Sequence, residues 1–486
     1  MPTDPRGLRA DAPLLDAWLR FQEEAPTPFT IPGHKHRLDL VGDVIAGDVP
    51  YFAGLDTMKL ERGVLADAEQ RAAALWGADH CRFSVGGSTH ANQAIALSVG
   101  RPGDTVVVAR TLHRSMLLGL VLGGLEPEWV VPDTDPTTGM PGVVTAAAVA
   151  SALRRAPHAV AVFIGHPSYV GTLGDVAAIA MVAHGHGTHG IPLVVDQAWG
   201  AHFGFHPGLP DHAISLGADA MVTSAHKGLP AWSQAALVLA RGERIDRARL
   251  EAGVEATATT SPSGAILASM DAARALLARE GEQLLGDVVE AVAAARRRLA
   301  EVEDLIVLDG DDVDPLRIVL LLARAGVDGN LVEHDLLAAG LPVELADRDT
   351  VIAVVSIADT AETIARLTEC LVESVSARRG EQRPMISGAW SPWPQRGMSP
   401  REAFFARHEQ VDLAAARGRV SAELIAPYPP GIPVLAPGEV VTDEVLDALS
   451  CARAAGRRIA YAADPSGESV RVAVPRTTGG GRDDLP

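Results

Sequence analysis

Only three lysines, Lys35, Lys59 and Lys227, stand against 39 arginines in these 486 residues. Positions that accept either cation have gone to arginine almost everywhere, so a retained lysine asks for a chemical reason. Lys227 lies in TSAHKGLPAWSQAALV (223–238), between two apolar stretches, 219–224 and 234–240, that read as short buried strands. A solvated ammonium is out of place in a tight connection between core strands. A deprotonated amine attacks carbonyls, whereas a guanidinium keeps its proton, and Lys227 is therefore read as a nucleophile. Asp196 ends the apolar run 192–196, 31 residues upstream. It is either a helix cap or a buried anion serving a cofactor, and adjacent strands would bring it to the same sheet edge as Lys227.

Two further pieces surround this pair. SVGGSTHANQAIAL (84–97) reads as a strand end, a turn and a helix start, whose free N–H groups and hydroxyls make an anion site. It is neither G-x-G-x-x-G nor a G-K-[ST] loop. RTLHRS (110–115) places His113 just past the strand 105–109. An amine, a carboxylate, an anion-binding helix start and a flat side chain together fit pyridoxal 5'-phosphate (PLP). The amine would bond the aldehyde, the carboxylate would pair with the pyridine nitrogen, the helix start would hold the phosphate, and the imidazole would stack on the ring.

The elements that must position these residues follow from periodicity. From about 64 to 245, short apolar strands (105–109, 158–164, 192–196) alternate with helical patterns such as 145–155. This is the signature of a mostly parallel sheet covered by helices, which binds ligands at the carboxyl ends of its strands. Helices at 263–279 and 284–299, strands at 305–308, 317–322 and 351–356, and a helix at 360–375 outline a smaller α/β unit. Residues 376–400 are rich in Pro, Arg, Ser and Gly and read as a crossing between domains. We divide the chain into an N-terminal segment (1–63), a large cofactor domain (64–262), a small α/β domain (263–375) and a C-terminal α+β domain (376–486). The last ends in GGGRDD (479–484), expected to be disordered.

Bulk properties exclude other classes. A formal charge of −19 argues against general nucleic-acid or anionic-membrane binding. Three widely spaced cysteines, Cys81, Cys370 and Cys451, make neither a disulfide framework nor a metal pattern, so no metal is expected and a reducing cytoplasm is the default. The start, MPTDPRGLRADAPLL, lacks a basic region followed by an apolar core and does not read as a secretory signal, and no uninterrupted apolar run approaches membrane-spanning length.

Taken together, PGHK (32–35), GGSTHAN (86–92), RTLHRS (110–115), HPSYVGTLGD (166–175), DQAWGAHFGFHP (196–207), SAHKGLPAWSQ (224–234), TTSPS (259–263), MSPREAFF (398–405) and PYPPGIPVLAPGE (427–439) resemble the bacterial ornithine/lysine/arginine decarboxylase family. Among its members, the chain is similar to the shorter ones without an N-terminal receiver-like wing domain. The resemblance spans most of the chain and implies the PLP-dependent transferase fold (fold type I). It also implies decarboxylation of a basic L-amino acid to agmatine, cadaverine or putrescine plus CO₂, as in polyamine biosynthesis, with arginine favoured because the shorter members make agmatine. A homodimer or higher homo-oligomer follows from the same resemblance.

Carried over by position, the resemblance implies that Lys227 carries the cofactor, that Asp196 holds its ring nitrogen, and that Ala198 lies beneath the ring with His113 above. Ser88, Thr89, His90, Ser224 and His226 would hold the phosphate, with His226 or Lys227 as the acid that protonates Cα. Thr259, Thr260 and Ser261 would complete the neighbouring subunit's phosphate site. The chain departs from the family at Gly86-Gly87, where Asn-Gly is usual, and at Gln197-Ala-Trp199, where Glu-Ala-His is frequent. Glu344, Asp347 and Asp314 are candidates for the substrate's cationic end, Glu344 foremost and Asp314 read as a turn residue. Glu423 is either near a site or a helix-surface charge. An aminotransferase or an oxygen-dependent arginine-modifying enzyme shares the Asp196 and Lys227 pair but not the C-terminal stretches, and a non-catalytic relative would be expected to lack one of the pair.

Overall fold

The computed structural model of the chain describes residues 3–24, 29–49, 54–55, 63–135, 141–385, 393–428, 432–454, 458–460 and 462–474. Lys59 and the glycine-rich 479–484 stretch lie outside them. Seven strands form the main sheet: β1 (His80–Ser84), β2 (Thr105–Ala109), β3 (Glu126–Val130), β4 (Val162–Gly165), β5 (Leu193–Asp196), β6 (Ala220–Thr223) and β7 (Ala236–Ala240). Their order is β1-β7-β6-β5-β4-β2-β3, and only β7 runs against its neighbours. The central strands read as unbroken apolar runs because both faces are covered. TVVVA, VFIG, LVVD, AMVT and ALVLA are buried almost throughout. Helices start where the sequence supplies caps: the Thr145 hydroxyl accepts the Ala148 N–H at 3.2 Å, and Asp246 caps the helix Arg247–Thr257.

A second, antiparallel sheet, in the order β10-β11-β9-β8, is built from β8 (Ile306–Val307), β9 (Arg317–Leu321), β10 (Leu345–Ala346) and β11 (Thr350–Val354). The expected helices at 263–279 and 284–299 are instead one helix, Gly264–Ala300, of 37 residues. Gly281 costs a helix interior only about 1 kcal/mol, and apolar burial along both halves outweighs that. The crossover between β5 and β6 is made of turns, not a helix.

The C-terminal unit pairs β12 (His408–Asp412) with β15 (Ser469–Ala473) and β13 (Ala426–Tyr428) with β14 (Arg458–Ala460), around its own core of residues such as Leu435, Val441, Leu449 and Val470. It is tied to the main sheet by a buried bidentate pair, Arg110 to Glu439, at 2.6 and 2.8 Å. Among the described residues no helix is long and apolar enough to cross a membrane, and no His, Cys, Asp or Glu cluster has metal-binding form.

Candidate active site

β5 and β6 lie side by side and parallel, with Asp196 opposite Val222. Asp196 therefore ends its strand where the chain leaves β6 for the one-turn helix Ala225–Gly228, which carries Lys227. The helix Gly87–Val99 begins just past β1 at the same end of the sheet. Gly87 has φ +68°, a conformation glycine adopts without strain, and its N–H donates to the Gln234 carbonyl at 2.8 Å. Ser88 and Thr89 follow as first-turn residues, whose N–H groups have no acceptor within the helix. The Ser88 hydroxyl is 2.7 Å from that of Ser224, which joins the phosphate candidates of two distant segments.

Asp196 is 7% exposed. Its Oδ1 accepts the Ala198 N–H at 3.1 Å and its Oδ2 accepts from Asn92 Nδ2 at 2.8 Å. No cation lies within ion-pair distance of it among the described residues, so this buried anion lacks a counter-charge. Lys227 is the complementary case. Burial pushes its pKa down, Asp196 and Glu344 oppose that at longer range, and Arg317 adds to it. No carboxylate pairs with it directly among the described residues; its Nζ lies 3.7 Å from the centre of the Trp199 ring. A buried carboxylate without a cation, a half-buried amine of lowered proton affinity and a helix start with free donors fit a cofactor bearing a basic ring nitrogen, an aldehyde and a phosphate.

His113 caps the helix Arg114–Gly123, its ring accepting the Ser115 N–H at 3.2 Å. Burial lowers its pKa; Asp196 raises it, and Lys227 and Arg114 reinforce the lowering. Ala198 is buried beside Asp196. His226 hydrogen-bonds the Ala235 carbonyl through Nδ1 at 2.8 Å, and burial lowers its pKa. His90 turns inward: its ring nitrogens lie 2.7 Å from the Ser84 hydroxyl and 3.1 Å from the Val254 carbonyl. Its side chain thus braces the loop rather than facing an anion.

Thr259, Thr260 and Ser261 are exposed on this chain, and Thr259 and Ser261 hydrogen-bond each other at 3.2 Å. Glu344 is exposed just before β10, 3.4 Å from the Tyr169 hydroxyl and within electrostatic reach of Lys227 and Arg317. Asp347 closes the β10–β11 turn by accepting the Asp349 N–H. Glu423 is not a helix-surface charge. It is buried in the C-terminal unit, and its two oxygens accept the N–H groups of Ala463 and Arg471 at 2.6 Å each.

Around the site the structure gathers residues to which sequence reading assigns no role, together with Asp314, read there as a turn residue. Asp314 does make a turn, accepting the Leu316 N–H, but it is also fully buried and 3.0 Å from His202 Nε2. Burial pushes its carboxyl up, but His202 and Arg317 outweigh that and hold it below the usual range. Arg317, at the start of β9, stacks its guanidinium 4.5 Å from the Trp199 ring centre. Gly171 at φ +88° leaves room for it, since a Cβ there would sit 2.6 Å from Arg317 Cγ. The Tyr169 ring meets Trp199 edge-on at 5.4 Å. Asn92, Ser115 and Tyr169 sat inside quoted stretches, and an arginine opening the apolar run RIVLL was itself a signal.

Comparison with known proteins decides the family. Residues 12–313 match the Orn/Lys/Arg decarboxylase major domain and 384–460 match the C-terminal domain of the same family. The chain belongs to that family. It is 30% identical over 483 residues to an arginine decarboxylase of Halalkalibacterium halodurans, covering 95% of this chain and 97% of that one. Among solved structures it resembles lysine decarboxylase A from Pseudomonas aeruginosa, with a TM-score of 0.80, 22% identity, and 96% and 81% of the two chains covered. An SPT solved with PLP gives a TM-score of 0.54 at 16% identity, with 76% and 85% covered. The fold is that of the fold-type I PLP enzymes.

Acid should weaken this decarboxylase-family fold through its histidines. Burial lowers the pKa of His36, His90, His113, His166, His212 and His226, and that of His166 falls to about 4. Between its ordinary value of 6.5 and about 4, the unfolded chain holds a proton on His166 that the folded chain does not. Stability from this group is therefore complete above about pH 6.5 and is lost as pH falls, by up to ~1.4 kcal/mol per pH unit. We expect His166→Gln to narrow the gap between Tm at pH 7.5 and at pH 5. An unchanged gap would refute the assignment.

Proposed function

We infer that the protein uses PLP to decarboxylate a basic L-amino acid, arginine foremost, to the amine and CO₂. The observation that carries this reading is a buried Asp196 and a half-buried Lys227 on adjacent strand ends of an Orn/Lys/Arg decarboxylase, neither of which has an ion-pair partner among the described residues. Bound there, PLP would supply an electron sink for the carbanion left by CO₂ loss. The chain supplies the rest. Asp196 would keep the ring nitrogen protonated through a close opposite charge. The donors at Ser88, Thr89 and Ser224 would fix the phosphate and hence the tilt of the ring. His113 and Ala198 would clamp its two faces. Lys227, its proton affinity lowered by burial, would give up a proton to bond the cofactor and later return one to Cα, with His226 as the neighbouring acid. Glu344 with Tyr169 is the acid best placed for the substrate's cationic end.

Arginine is favoured by the curated relatives matched along nearly their whole length. The test is PLP-loaded protein given arginine, lysine and ornithine in turn, with products read by mass spectrometry. Agmatine as the dominant product is expected. A keto acid, or oxygen uptake, would overturn the reading in favour of an aminotransferase or an oxygen-dependent enzyme.

We further propose that the functional unit is a homodimer in which Thr259, Thr260 and Ser261 line the partner's phosphate site. Their exposure in a single chain supports this, because three hydroxyls beside Pro262 make a better anion lining than core. An apolar surface on the 29–44 stretch, with Phe29 95% and Val44 82% exposed, is of the kind a second copy covers. Subunit mixing tests it. Lys227→Ala chains combined with chains carrying Ala at 259, 260 and 261 should regain activity, because one hybrid site is intact. Activity no higher than either parent, in confirmed heterodimers, would place the segment elsewhere.

A further inference from the structure

Asn92 is fully buried in the helix Gly87–Val99, and its side-chain nitrogen meets two acceptors at once. One is Asp196 Oδ2 at 2.8 Å; the other is the Ser115 hydroxyl oxygen at 3.0 Å. That hydroxyl lies 2.8 Å from His113 Nδ1, which also takes the Ser115 N–H. A carboxamide nitrogen donates only. His113 Nδ1 accepts the Ser115 N–H and is therefore unprotonated, so in its contact with the Ser115 hydroxyl it is the hydroxyl that donates, while the hydroxyl oxygen accepts from Asn92.

We propose that Asn92 is a positioning residue that completes the chain Asp196–Asn92–Ser115–His113, donating to the aspartate and to the serine hydroxyl so that the hydroxyl in turn donates to the histidine and keeps it neutral with its proton on Nε2. This goes beyond the decarboxylase reading in linking the group at the ring nitrogen to the group stacked on the ring, and it rests on that reading only for what those two groups touch. The opposite amide orientation would aim Oδ1 at a carboxylate oxygen, which the fold does not tolerate. The charges facing His113 are Asp196 from β5, Lys227 from the turn after β6, and Arg114 from its own helix. Asp196 favours an imidazolium and the two cations oppose it. Burial opposes it as well, and the Ser115 N–H and hydroxyl both donate to Nδ1, which leaves the ring's own proton on Nε2.

The test reads the histidine directly. In PLP-loaded protein with isotope-labelled histidine, the His113 signals are assigned by their loss in His113→Gln. They should report a neutral Nε2–H ring from pH 8 to 5.5. In Asn92→Asp a second carboxyl meets Asp196 where the amide had donated, and the added negative charge, only partly relieved by a proton shared between the two, favours an imidazolium at His113. His113 should begin to titrate in that range, its proton affinity rising about tenfold or more. Asn92→Leu, which removes the donor without adding charge, should leave His113 neutral but held on Nε2–H by the Ser115 N–H alone, so that its tautomer is less completely fixed. Ser115→Ala should do the same and keeps the experiment decisive if Asn92→Asp fails to fold. A merely structural Asn92 would lower Tm in every variant and leave the His113 signals as in wild type. That result, or a wild-type His113 protonated on Nδ1, overturns the proposal. Failure of wild type to fix PLP on Lys227 would overturn the functional reading instead, since the His113 signals can be read equally without cofactor.

Discussion

Lys227→Ala should yield a colourless protein that no longer retains PLP after borohydride reduction, with decarboxylation down by about 10⁴-fold or more. Wild type should be yellow, and its reduced tryptic digest should carry the cofactor on the peptide containing Lys227. The size of the effect follows from two roles in one amine. On the proposed reading it would hold the cofactor covalently and move a proton at Cα, where loss of a positioned proton-transfer group alone costs about 10²–10⁴-fold. Burial and the nearby Arg317 lower the proton affinity of this lysine, against a longer-range pull from Asp196 and Glu344, in the direction such a role requires. Lys35→Arg should leave the link intact, because its amine is held by the Thr30 carbonyl near the N-terminus. Lys59→Arg is expected to behave the same way. Cofactor fixed on Lys35 or Lys59 would remove the basis of the whole assignment.

Asp196→Asn should keep PLP bound through Lys227 and the phosphate donors, yet lose about 10²–10³-fold in turnover. A close opposite charge holds a partner's pKa by roughly one to three units; without it the ring nitrogen loses its proton and becomes a poorer electron sink. The substitution has a second cost that the hydrogen bonds make visible. Both Asp196 oxygens accept from buried donors, Ala198 N–H and Asn92 Nδ2, so an amide must turn its NH₂ toward one of them. Leaving a buried donor unsatisfied costs about 1–3 kcal/mol, to be read as a lower Tm alongside the kinetic loss. Near-normal turnover with PLP bound would mean that another group holds the ring nitrogen.

The sequence by itself determined what depends on a short window of chain. Apolar runs of four to five residues became β2, β5, β6 and β7, because a strand buried on both faces needs no partner pattern to be recognised. Thr145 and Thr360 marked helix starts because a cap bonds within three residues of itself. Lys227 stood out because it breaks a compositional rule and lies between two such strands. Where bonding reached across the chain, local reading went astray or stayed silent. Gly281 looked like a break, but packing against distant segments carries one helix through it. His90 sat in an anion-binding stretch, yet Ser84 and a carbonyl 164 residues away orient its ring. Glu423 resembled a surface or site carboxylate until Ala463 and Arg471, 40 and 48 residues on, enclosed it. Asn92 meets Asp196 across 104 residues, and Asp314 meets His202 across 112. Only the tertiary structure decided these, because the free energy of a buried polar group is set by which donors and charges surround it once water is gone, and those neighbours come from parts of the chain that no local window contains.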